Sequence, residues 1–124
     1  MSFNRNKVYE TADEFFDLDE RDLDYRVVMK LSRNAAIDVC AAAADHGLLV
    51  AKIEGGIARG KTFEARLDAI WDGADPPIDY EGATTNNLRA ADFMRSCVDD
   101  YNAFIITDAP LSGWRHQARG GRSG

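Results

Sequence analysis

The stretch GGIARGKT, residues 55–62, fits the pattern G-x-x-x-x-G-K-[ST] of a phosphate-cradling loop, with Gly55, Gly60, Lys61 and Thr62 in place. That chemistry needs a strand leading in and a helix leaving, so that backbone N–H groups and the helix N-terminus face the phosphates. It also needs a Mg²⁺-holding acid on a second parallel strand, and the last strand-like stretch, NAFIIT, has none before Asp108. Other reactive groups are few. His46 stands at a helix end beside Gly47, where positive charge suits the helix dipole, and His116 lies in the C-terminal stretch. Neither has a visible serine or cysteine partner, so nucleophilic catalysis has no support. DLDERDLD suggests a calcium loop but lacks its central glycine and terminal glutamate. Cys40 and Cys97 fall in apolar, helix-like stretches and read as packing residues. No catalytic residue, metal or cofactor is expected.

The elements around these residues decide what GGIARGKT is. Thr11 and Glu14 have capping-box spacing at the head of an acidic stretch carrying Phe15, Phe16, Leu18 and Leu23. Alternation at Tyr25, Val27, Met29 and Leu31 suggests an edge strand. Ser32 caps a first helix over RNAAIDVCAAAADH, closed by Gly47 as its left-handed residue. LLVAKIE follows as a strand ended by Gly55-Gly56. TFEARLDAIW alternates as a strand does, yet Phe63, Leu67 and Ile70 also fit helical spacing, so pattern alone leaves it open. DGADPPIDYEG reads as a loop because of Pro76-Pro77. Thr84 or Thr85 then caps a second helix from about Asn86 to Asp100, with Leu88, Ala91, Met94 and Val98 inward. NAFIIT is the final strand. The expected architecture is α+β: a small antiparallel sheet of three or four strands with two helices packed on one face.

Length and charge narrow the function classes. A chain of 124 residues is one domain, with little room for the crossovers of a nucleotide-binding fold. No run approaches a membrane span and no secretory leader is apparent, so a cytoplasmic protein is expected. Residues 1–28 hold 8 acids and 4 bases, residues 29–108 hold 13 and 8, and residues 109–124 hold 3 arginines and no acid. Such an acidic body argues against a direct nucleic-acid binder and suits a basic partner such as a nuclease.

Five stretches in order, MKLSRNAAIDVC, HGLLVAKIEGG, Phe63 with Trp71, NNLRAADF and YNAFIIT, resemble the immunity proteins of the colicin E-five type over residues 29–107. The resemblance implies a small protein that binds a tRNA-cleaving nuclease domain one-to-one and occludes its RNA-binding cleft. The toxin would be a bacteriocin or the C-terminal toxin of a contact-dependent inhibition system. It also implies that the segment with Phe63 and Trp71 is a strand and that GGIARGKT is a hairpin turn. On this reading residues 1–28 are an acidic extension (or Met29 is the start), residues 29–108 the domain, and residues 109–124 a flexible tail.

Six acids, Glu64, Asp68, Asp72, Asp75, Asp79 and Glu81, face one base, Arg66, between positions 64 and 81. As a strand, this segment turns Phe63, Ala65, Leu67 and Ala69 to the helices and puts Glu64, Arg66 and Asp68 beside Lys52 and Glu54. A carboxylate row of that kind can imitate a phosphate backbone, and Trp71 and Tyr80 are the aromatic anchors beside it. Trp71 as plain core is the competing reading. The expected toxin-binding set is therefore Glu54, Glu64, Arg66, Asp68, Trp71, Asp72, Asp75, Asp79, Tyr80 and Glu81. An acidic interaction module unrelated to toxins is the alternative, and a nucleotide-binding protein the remote one.

Overall fold

The strands on either side of GGIARGKT form one antiparallel hairpin in the computed structural model, which describes residues 6–17, 29–75 and 78–111. The elements run β1 (Val8–Tyr9), α1 (Ala12–Phe16), β2 (Lys30–Leu31), α2 (Arg33–Ala43), a 3₁₀ turn (Ala44–His46), β3 (Leu48–Arg59), β4 (Thr62–Asp72), α3 (Tyr80–Ser96) and β5 (Ala103–Pro110). They build an α+β fold with a single sheet ordered β1-β2-β5-β3-β4. The three central pairings are antiparallel, and a short parallel β1–β2 pairing extends the sheet to five strands.

The caps follow the sequence. Thr11 and Glu14 make both halves of a capping box at α1, and the hydrogen bond from Thr11 is the main reason the Glu14 carboxyl titrates below its usual range. The Ser32 hydroxyl accepts from Ala35 N–H at the head of α2, and Gly47, at φ 78°, closes the 3₁₀ turn.

Helices α2 and α3 pack against one face of the sheet, and α1 packs against α2. Leu31, Val50, Ile53 and Phe104 from the strands meet Ala35, Ala36, Val39, Cys40, Ala43, Ala90, Ala91 and Met94 from the helices. Small alanines let helix and sheet approach closely, while each fully buried large side chain contributes about 2 kcal/mol. Tyr9 belongs to the same cluster, so β1 is tied into the core.

Four expectations need correcting. First, β3 runs through the double glycine, because the two glycines make room inside the sheet. A Cβ on Gly55 would lie 2.6 Å from the Phe104 ring, and one on Gly56 would lie 2.0 Å from the Glu64 carbonyl oxygen. Second, α3 begins at Tyr80, six residues before Asn86, because Asp79 accepts from Gly82 N–H and caps it. Its inward residues are Ala83, Asn86, Asn87, Ala90, Ala91 and Met94, whereas Leu88 and Val98 are about half exposed. Third, only Lys30–Leu31 of the proposed 25–31 strand is a described strand, and it lies inside the sheet between β1 and β5. Fourth, the alternation in β4 is broken, as shown below. Tyr25, Val27, Leu18, Leu23, most of DLDERDLD, Pro76-Pro77 and residues 112–124 lie outside the described residues.

Candidate functional site

Backbone pairing, more than side-chain pattern, sets the shape of the hairpin. Arg59 pairs with Thr62, leaving Gly60 and Lys61 as the turn, with Gly60 at φ 57°. No helix follows the turn, so GGIARGKT lacks the helix N-terminus that a phosphate site requires. Further along, Gly56 pairs with Ala65 but Glu54 pairs with Ile70. Gly55 alone therefore faces Arg66–Ala69, and β4 bulges outward by three extra residues. An odd number of inserted residues reverses which side chains face which side. Phe63 and Ala65 consequently share the face of Glu54, while Leu67 is 90% exposed and only Ala69 is fully buried. The expectation that Phe63, Ala65 and Leu67 turn to the helices fails for this reason.

The same bulge divides the expected carboxylate row. Glu54 lies opposite Ile70, and Asp72 lies opposite Lys52, so both belong to the sheet face without helices. Glu64, opposite Ile57, instead forms ion pairs with Arg66 at 3.3 Å and Arg59 at 3.7 Å. Asp68 accepts a 2.6 Å hydrogen bond from the Tyr101 hydroxyl. That bond is the main cause of the raised Tyr101 pKa, and the Asp68 charge is also felt at Cys97 near the end of α3.

Trp71 lies opposite Ile53 and packs, half-buried, against the core cluster. Asp75 is exposed in the loop after β4. Asp79 caps α3, and Glu81 is exposed in its first turn, where negative charge suits the dipole. Tyr80 donates a 2.6 Å hydrogen bond to Asp45 in the 3₁₀ turn, which raises the tyrosine pKa. The two of them border a shallow recess of about 40 Å³ with Cys40, Ala41, Ala44, Thr84, Asn87 and Leu88. The structure thus gathers Glu54, Glu64, Arg66, Asp68, Trp71 and Asp72 on the hairpin. Asp79, Tyr80 and Glu81 form a separate group at the start of α3.

Two polar clusters, one buried and one partly buried, fix the site from behind. Asn87 accepts from Val50 N–H at 2.9 Å and donates to Leu48 C=O, while Asn86 donates to Val50 C=O and accepts from Ala74 N–H. These bonds serve the backbone groups around Ala51, where the register between β3 and β5 shifts, and hold the start of the acidic loop. Gly73 is needed there, since a Cβ would lie 2.4 Å from Val50 C=O. At the opposite end, Arg33 donates to four carbonyls, Met94, Cys97, Val98 and Tyr101, at 2.5–3.2 Å, with its guanidinium over the Phe104 ring. It satisfies the carbonyls that a helix end leaves open and positions Tyr101 for Asp68.

Sequence reasoning missed Leu67 as a surface residue, and Asn86, Asn87 and Arg33 as the supports. A signal existed for the supports, since NNLRAADF and SRNAAIDVC carry the family resemblance, but their roles depend on contacts between distant segments. The Cys40 thiol is pushed up to about 12 by burial, which makes it inert as a nucleophile. Among the described residues no group of three or more His, Cys, Asp or Glu is placed to hold a metal ion. No described helix is long and apolar enough to cross a membrane.

Comparison with known proteins agrees with the ordered motifs. The family profile described as Colicin-E5 Imm protein matches residues 29–109. Immunity protein CdiI of Burkholderia pseudomallei is 48% identical over 114 residues, covering 92% of this chain and 100% of that protein. Colicin-E5 immunity protein of Escherichia coli is 40% identical over 83 residues, covering 64% of this chain and 96% of that protein. The profile spans β2 through β5, the elements that build the hairpin and its supports, and the chain belongs to the colicin-E5 immunity protein family.

Proposed function

We propose that this protein is the immunity partner of a tRNA-cleaving nuclease domain, which it binds one-to-one and inactivates by filling the RNA-binding cleft. It performs no chemistry of its own. The reading is carried by the charge of β4 and the loop after it, where five acids accompany one base, and that base is held by Glu64. A cleft that binds RNA is basic, so this surface is attracted to the same groups that hold phosphates. Glu54 and Asp72 on the open sheet face, Glu64 and Asp68 at the bulge, and Asp75 in the loop would occupy phosphate-like positions. The full alignment with an immunity protein named CdiI favours a contact-dependent inhibition toxin as the partner over a bacteriocin. The protein would then act in the cytoplasm, where tRNA is cleaved.

The test is a tRNA cleavage assay with a nuclease domain of the colicin-E5 type, taken from a toxin gene adjacent to this one where such a gene is found. An equimolar amount of the protein is expected to leave tRNA at full length. Continued cleavage in the presence of folded protein rejects the inhibitor reading for that toxin.

A further inference from the structure

The bulge in β4 is built so that one apolar side chain is held out to solvent. Arg66–Ala69 stand opposite Gly55 alone, and Leu67 lies at the crest, 90% exposed. A lone exposed leucine on a loose loop means little, because folded surfaces carry many apolar atoms. Leu67 differs because the residues on both sides are tied back. Arg66 is paired with Glu64 at 3.3 Å, and Asp68 is bonded to the Tyr101 hydroxyl at 2.6 Å. Ala69 closes the bulge in full burial, fitted to the place where Gly55 has no Cβ. The crest is therefore preorganised, and little conformational freedom remains to be lost when a partner covers it.

The other anchor candidates on this surface are already engaged. Trp71 packs against the core cluster, and Tyr80 is bonded to Asp45 on the helix side. Leu67 has no such packing and stands between charged neighbours, Arg66 and Asp68, with Glu64 paired to Arg66 and Asp72 further along β4. Binding energy at protein interfaces concentrates in a central apolar or aromatic group surrounded by polar contacts that exclude water. Bulges are also a means of re-aiming a side chain, and they spoil an edge strand for pairing with another strand. β4 is an edge of this sheet, so the bulge makes side-chain docking the better use of it.

We propose that Leu67 is the apolar anchor of the partner interface, entering a pocket on the nuclease domain whose rim carries basic groups that meet Glu64, Asp68 and Asp72. This rests on the immunity reading above. The acids then govern how fast the partner arrives, and Leu67 governs how long it stays.

The experiment measures association and dissociation rates against a catalytically inactive form of the nuclease domain that the wild-type protein inhibits in the cleavage assay. It uses the wild type, Leu67→Ala, Leu67→Gln and Leu67→Met, with thermal melts of each. Leu67→Ala and Leu67→Gln are expected to weaken binding about 30-fold or more, mainly through faster dissociation. Leu67→Met is expected to stay within about threefold of wild type, and all four proteins to melt alike. Wild-type binding that Leu67→Ala and Leu67→Gln leave unchanged overturns the anchor and spares the immunity reading. Wild type that fails to bind the nuclease at all overturns both. Equal losses in Leu67→Met and Leu67→Ala would also count against an apolar pocket.

Discussion

The two halves of β3 are built in opposite ways. From Leu48 to Gly56 the strand pairs with β5 beneath α3, joined by β4 from Lys52 onward, and Asn86 and Asn87 satisfy its backbone across the register shift. From Ile57 to Arg59 it projects past β5. There β4 is its strand partner, and the Asn102 carboxamide, bonded to both N–H and C=O of Ala58, is its last support from the β5 side. The buried half has almost no freedom in side-chain choice. The projecting half is held by backbone bonds and by glycines that permit close approach. Burial and exposure are thus separated along one strand, with the bulge opposite Gly55 as the boundary.

The separation can be broken most severely at Asn87. Asn87→Ala leaves Val50 N–H and Leu48 C=O buried without partners, and is expected to cost about 3 kcal/mol. A denaturant midpoint that falls accordingly, with toxin binding intact once the variant is folded, supports the division. Arg33→Met keeps the stem but removes four carbonyl contacts, for an expected loss of about 2 kcal/mol. Because Arg33 positions Tyr101, the Asp68–Tyr101 bond should loosen too. An unchanged Tyr101 titration in this variant would uncouple the two ends.

Asp108 sharpens the comparison from the buried side. Burial pushes its carboxyl up to about 6, and it has no ion-pair or hydrogen-bond partner among the described residues. A carboxyl raised in the folded state favours folding while protonated, and that contribution is lost as pH rises through about 6. Asp108→Asn is therefore expected to be more stable than wild type by about 1–2 kcal/mol at pH 7.5. The advantage should shrink as pH falls below about 6 and vanish near the ordinary aspartate value of 3.8. A pH-independent difference would mean that burial of the charge is not the cause.

On the recognition side, Asp72→Lys with Asp75→Lys should slow association with the nuclease about tenfold at low salt and leave the melting temperature alone. Asp68 reversal is a poorer test, since that carboxylate also supports Tyr101. Equal association rates at low salt would remove Asp72 and Asp75 from the interface. The smallest effect is expected at Tyr80→Phe. It removes an exposed bond to Asp45 and should leave the melting temperature unchanged. A large loss of toxin affinity in that variant would bring the start of α3 into the binding surface after all.

What the sequence shows of this arrangement is mostly local. Ser32, Gly47, Thr11 and Glu14 cap their elements as their types and spacing require, and Gly60-Lys61 is the turn that the resemblance implied. The start of α3 was hidden because Gly82, Thr84 and Thr85 are weak helix formers that read as a continued loop. Asp79 overrides them, and Ile78 fills the space beside Gly82. The bulge was illegible for a different reason. Phe63, Ala65, Leu67 and Ala69 alternate without a break, and only pairing with Gly55 and Gly56 shows that three residues are extra. The acids were visible at once, but their division between two directions follows from that register and from Tyr101, 33 positions further along the chain.

Arg33 has a consequence for the order in which the chain can fold. Its four acceptors lie 61 to 68 positions away, so none of these bonds can form until the start of α2 has met the end of α3 and the segment before β5. The hairpin closes over a short loop and gains its contacts early, whereas the guanidinium locks an assembly already in place. Contacts of that late kind act mainly on the unfolding rate. Arg33→Met is accordingly expected to speed unfolding more than it slows folding, which the two arms of a denaturant chevron would read separately.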